Sequence, residues 1–156
     1  MLRRIARLFK APEPAGPPQV LRRFTSADQP IDAAAVAWVG DAWQVVADRP
    51  MTVRLYEIVD LGTEQCMLAY RARLRSDGLA GRGYLEMWCR FPGRGEFFSK
   101  GLQQPITGTT GWASYEIPFY LSSGERPEVI KLNLVLDGAG TVWLSDIELQ
   151  TTPLLE

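Results

Sequence analysis

Two stretches decide the fold: Gln65-Cys-Met-Leu-Ala-Tyr-Arg-Ala-Arg-Leu-Arg75 and, shortly after it, Gly83-Tyr-Leu-Glu-Met-Trp-Cys-Arg-Phe91. Both alternate strictly. In the first, Cys66, Leu68, Tyr70, Ala72 and Leu74 share one side, and Met67, Ala69, Arg71, Arg73 and Arg75 share the other. In the second, Leu85, Met87, Cys89 and Phe91 oppose Tyr84, Glu86, Trp88 and Arg90. A period of two sends successive side chains to opposite faces of a strand, so each segment has one buried and one solvated face.

The same signal recurs outward from this centre. Ala35–Val39 and Trp43–Ala47 flank Gly40-Asp41, a dipeptide suited to a tight turn, and predict a hairpin. Met51–Val59 places Val53, Leu55 and then Ile58 inward. Asp77–Arg82 reads as a Gly-containing loop. The Pro92-Gly-Arg-Gly95 turn precedes Glu96-Phe-Phe-Ser99, where at most one of the adjacent Phe97 and Phe98 can point inward. Trp112–Leu121 aligns Tyr115, Ile117, Phe119 and Leu121. Val129–Asp137 puts Ile130, Leu132, Leu134 and Leu136 inward and Lys131, Asn133 and Val135 outward. Thr141–Leu149 is the last strand, and a short helix competes only at Ile31–Val36. Strands with one apolar face must cover one another. The expected architecture is all-β: a two-sheet antiparallel β-sandwich over residues 19–152. A basic tail or short helix with a Pro-rich spacer (1–18) precedes it, and a short tail (153–156) follows.

Composition narrows the chemistry. The 156 residues suit one domain. A net charge of −1 sets up no global field for nucleic acid. There is no histidine, which removes the commonest general base, the commonest zinc ligand and any Ser–His or Cys–His relay. Two cysteines, Cys66 and Cys89, are too few for a disulfide scaffold or a four-thiolate zinc site, and both read as reduced core residues. Met1-Leu-Arg-Arg-Ile-Ala-Arg-Leu-Phe-Lys10 spaces Leu2, Ile5, Leu8 and Phe9 as one helical face with basic residues on the other. It reads either as a mobile basic tail or as a helix on an anionic membrane surface. Ala11-Pro-Glu-Pro-Ala-Gly-Pro-Pro18 follows where a signal peptide would carry its apolar run, so a cytoplasmic location is expected.

The C-terminal half carries a family likeness. Pro105-Ile-Thr-Gly-Thr-Thr-Gly-Trp112 leads into Tyr115-Glu-Ile-Pro-Phe119, and the chain closes with Gly138-Ala-Gly-Thr-Val-Trp-Leu-Ser-Asp-Ile-Glu-Leu149. Residues 65–150 resemble jelly-roll domains of the carbohydrate-binding-module and galactose-binding-like type. These include ligand-sensing C-terminal domains of some bacterial transcription regulators. The resemblance implies a jelly-roll sandwich and a binding or accessory role, and it brings no catalytic residues. Such folds often hold a structural calcium near the loops. Here Ser145 stands where the family's first Asp of a pair would be, which leaves Asp146 as the metal candidate. Calcium takes several oxygens, so no cofactor is expected.

The candidate ligand face is the outward side of the central strands: Arg71 and Arg73, then Tyr84, Glu86, Trp88 and Arg90, then Lys131 and Asn133. Aromatic rings beside guanidinium, carboxylate and amide groups suit a carbohydrate or similar small polar ligand. They equally suit a protein partner or an ordinary solvated sheet face. Glu86 and Glu96 are the only pair worth weighing as glycosidase carboxylates, which need a separation of roughly 5–10 Å. Gly93-Arg-Gly95 is no phosphate loop, since neither Gly-Lys-Ser/Thr nor a helix follows. Trp112 and Trp143 read as packing residues.

Overall fold

The two deciding stretches belong to one strand. The computed structural model describes residues 12–59 and 62–155; Met1–Lys10, and with them the amphipathic stretch, lie outside the described residues. Its strands are β1 (Gln19–Arg23), β2 (Ala37–Val39), β3 (Ala42–Ala47), β4 (Met51–Val59), β5 (Cys66–Phe91), β6 (Gly95–Lys100), β7 (Ile106–Leu121), β8 (Val129–Leu136) and β9 (Gly140–Pro153). All their pairings are antiparallel. One 3-10 turn, Ala33–Ala35, occupies the stretch where a helix competed.

The first half of β5 lies between β7 and β9, and its second half between β6 and β8. The order runs β2-β3-β9-β5-β8-β4, with β1 on β9. The two layers of the sandwich are therefore one curled sheet joined through β5. Their inner faces share a single core. Leu68, Tyr70 and Leu74 from the first half of β5 join Leu85, Met87 and Cys89 from the second, with Leu55, Leu132, Leu134, Val142 and Leu144. The Tyr70 hydroxyl, fully buried, donates to the Asn133 carbonyl at 3.1 Å and ties one layer to the other.

Asp77–Arg82 is not a loop. It stays in the strand, paired irregularly with β7. Gly78 (φ 59°) and Gly81 (φ 74°) supply the bend. A Gly-Asp cluster signals a turn in sequence, and here the same residues turn a strand from one layer into the next. The β8–β9 turn clasps this bend: Ala80 N–H donates to Ala139 O at 2.8 Å, and Asp137 N–H to Arg82 O at 2.7 Å.

Other expectations are refined. The residues read as spacer and tail pair with each other. Ala15 N–H donates to Pro153 O at 2.7 Å, and Leu155 N–H to Glu13 O at 2.9 Å. Cys66 and Cys89 are free and buried, and burial pushes the Cys89 thiol up to about 12.

The clasp leaves no room for a side chain at Gly138, whose added Cβ would be driven onto the Ala80 carbonyl. Gly138→Ala should lower stability by about 2–3 kcal/mol in urea denaturation. Gly111→Ala, which meets open space, should cost nothing. Equal midpoints for the two variants would refute the clasp.

Candidate functional site

Register arranges the outer face of the β4–β8–β5–β6 layer into rows. Arg54, Asn133, Glu86 and Lys100 form one; Glu57, Lys131, Trp88 and Phe98 form the next. Thr52, Val135 and Tyr84 lie to one side. Val59, Val129, Arg90 and Glu96 lie to the other. Glu57 reaches this face because β4 bulges: Leu55 and Tyr56 are both buried, which resets the alternation after Arg54.

The charges are set in pairs. Glu86, only 7% exposed, accepts from Asn133 Nδ2 at 2.9 Å, and its other oxygen lies 3.6 Å from Lys100 Nζ. Lys131 Nζ donates to Glu96 at 2.7 Å. Lys100 also sits over the Phe98 ring at 4.6 Å, and Phe98 lies 5.2 Å from Trp88.

A rim rises along β4. Ile31 and Asp32 N–H groups donate to Leu55 and Arg54 carbonyls at 2.9 and 3.0 Å. Asp32 in turn accepts from Arg54 N–H at 2.8 Å and from its guanidinium at 2.7 and 3.1 Å. The Arg54 side-chain hydrogen bonds hold the Asp32 carboxyl below its ordinary value. Between rim and β6 lies a half-open cleft of about 300 Å³. Ile31, Thr52, Arg54, Glu57, Trp88, Glu96, Lys131 and Asn133 line it.

The structure thus brings Trp88, Lys131 and Asn133 into one cleft, with Glu86 outside its lining and bonded to Asn133. Tyr84 and Arg90 flank it on the same face. Tyr84 is 9% exposed under Arg82, and Arg90 is paired with Glu128 at 3.0 Å. Arg71 and Arg73 do not join this group. They leave β5 before the bend and line a separate cleft of about 320 Å³ on the other layer, with Arg23, Ser114, Asp146 and Glu148. The joint platform expected from sequence is not formed, because one continuous strand serves two layers.

Sequence reasoning missed Arg54, Glu57, Phe98 and Lys100 as members of the face. The broken alternation from Leu55 to Ile58 was the available signal for the first two. Ile31 and Asp32 carry no such signal, since backbone pairing brings them to the rim. Asp146 sits in a β9 bulge at φ 51°. It does not fit calcium. Three guanidiniums line its cleft, and Glu148 already accepts from Arg23, Arg71 and Gln150. Among the described residues no three acidic or cysteine side chains gather to hold a metal ion.

No protein-family model matches this sequence, and no curated protein sequence matches it. Solved structures do share its fold. The chain is similar to a family 16 carbohydrate-binding module, with 10% identity over 74% of this chain and 84% of that one and a TM-score of 0.53. It is similar to a CBM4 module at 12% identity, 74% coverage of each chain and a TM-score of 0.54. A cyclase from Fischerella sp. TAU gives 11% identity, 78% and 71% coverage and a TM-score of 0.51. The fold is the β-sandwich of carbohydrate-binding modules, as the likeness over residues 65–150 implied. The same fold also occurs in a cyclase, so function is argued from the face itself.

Asn133→Ala strips a buried carboxylate of its closest donor and should cost about 2 kcal/mol in chemical denaturation. Adding Glu86→Ala should cost less than the two single losses summed; simple additivity would show the pair to be uncoupled. The Asp32 pKa is depressed by folding, so its contribution is present at neutral pH and lost as pH falls through the folded value. Wild type should melt above Asp32→Asn at pH 7, with the gap closing below the reference carboxyl value of 3.8. A gap that persists in acid would contradict the assignment.

Proposed function

We propose that this chain is a non-catalytic binding module whose outward β4–β8–β5–β6 face takes a carbohydrate or a similar small polar ligand. The observation that carries this reading is the indole of Trp88 in a half-open cleft among Arg54, Glu96, Lys131 and Asn133. Sugar rings offer apolar C–H faces for stacking on an indole and hydroxyls for exchange with charged and amide groups. Convergent polar groups around apolar surface mark ligand sites. Here the polar groups are already held by Lys131–Glu96 and Arg54–Asp32 pairing, so little side-chain entropy is left to lose on binding.

The carboxylates support the non-catalytic part. Register places Glu86 opposite Lys100 and Glu96 opposite Arg90, four residues along the strand. Glu86 is engaged by Asn133 and Lys100. Glu96 is held by Lys131 at 2.7 Å, so neither carboxylate is left free to act as acid or nucleophile.

A second reading is favoured by β6, an edge strand with Phe97 46% and Phe98 55% exposed. On that reading the chain is a cytoplasmic scaffold or accessory domain that meets a protein through this edge, with Met1–Lys10 docking it on a membrane surface. A glycan array followed by calorimetry separates the two. At least one saccharide should bind wild type, and Trp88→Ala should weaken it about tenfold or more. If no saccharide binds, the carbohydrate reading fails. Co-purification of a protein lost on Phe98→Asp would then support the second.

A further inference from the structure

Most described lysines and arginines sit against a carboxylate. Arg73 and Arg75 do not. They are successive outward residues on the first half of β5, and they interleave with two indoles. The Arg73 guanidinium lies 5.8 Å from the Trp112 ring centroid. Arg75 lies 5.9 Å from Trp112 and 4.0 Å from Trp143. Trp112 and Trp143 therefore do more than fill space: their faces orient two guanidiniums.

Among the described residues the N–H edges of those guanidiniums have no protein acceptor. Arg75 Nε is the buried side-chain nitrogen left without a partner among the described residues. Holding that donor unmet costs about 1–3 kcal/mol and shows how firmly the rings position Arg75; an incoming acceptor would meet the terminal N–H groups, not this buried atom. Two neighbouring acids are committed elsewhere: Glu148 serves Arg23 and Arg71, and Glu116 serves Arg71. Asp77, bonded to the neutral Thr109 hydroxyl, and Asp146, across the adjoining cleft from Arg73, stand near the two guanidiniums without pairing with either.

We infer that the Arg73–Trp112–Arg75–Trp143 ladder is a second binding site, for an oxyanion: the carboxylate, sulfate or phosphate group of a ligand. The planar fork of a stacked arginine suits such groups, which accept two parallel N–H bonds. The site is independent of the Trp88 cleft, on a different layer of the sheet.

Tryptophan fluorescence tests it, with sodium glucuronate, inorganic sulfate and inorganic phosphate titrated at fixed ionic strength. Glucose and chloride serve as controls. At least one oxyanion should give a saturable change in wild type and chloride none, and any glucose response should vanish in Trp88→Ala, which assigns it to the other cleft. Arg73→Gln, at an exposed position that leaves the core intact, should weaken the response about tenfold. Trp88→Ala should respond to that oxyanion as wild type does. Glucuronate binding best would identify an acidic saccharide as the source of the anion, and sulfate or phosphate binding best an ester. No saturable oxyanion response, or an Arg73→Gln response equal to wild type, would overturn the inference and leave the ladder a purely structural brace. An oxyanion response lost in Trp88→Ala would overturn it too, by moving the anion to the other cleft.

Discussion

The bend in β5 is the constraint on which the rest depends. A strand buried on one face must keep its backbone groups paired while it turns from one layer to the other. It does so without leaving the sheet. Glycines absorb the turn, β7 follows it round with shifted register, and the β8–β9 turn closes over it with hydrogen bonds to Ala80 and Arg82. The layers are thereby fixed relative to each other by covalent chain as well as by packing. The cross-layer hydrogen bond from Tyr70 to Asn133 works inside that fixed frame.

The same bend separates two outward faces with different chemistry. Before it, Arg71, Arg73 and Arg75 project from the layer of β7 and β9. After it, Glu86 and Trp88 project from the layer of β6 and β8. On the later face nearly every charge has an opposite partner, which leaves the Trp88 ring as the distinctive surface of the cleft. On the earlier face Glu116 and Glu148 hold Arg71, while aromatic rings hold Arg73 and Arg75. Ion pairs at a solvated surface contribute little to stability. Their value here is positional, since a paired lysine or arginine presents its remaining donors in a fixed place.

The cleft also shows how an edge becomes a site. Ile31 and Asp32 add two backbone hydrogen bonds to the free edge of β4 and stand above the sheet as a rim. Covering an edge protects it from unwanted pairing. Here the cover also turns a flat face into a concave one, with Arg54 locked by Asp32 at its base.

Sequence by itself determined which residues face the core. The strict alternation around Leu68, Tyr70, Met87, Leu132 and Leu134 fixed their burial, because a period of two admits only one inward set per strand. It also determined the all-β class and placed Glu86 with Trp88, and Lys131 with Asn133, on shared sides. Only the tertiary structure decided that Arg71 and Arg73 lie apart from Trp88. Strand curvature arises from register shifts and positive φ angles at Gly78 and Gly81, and a linear pattern reads those residues as a loop. It likewise decided that Arg54 and Glu57 enter the cleft, through a bulge that alternation registers only as a missed step, and that Ile31 stands at its rim, through hydrogen bonds of backbone atoms common to every residue type.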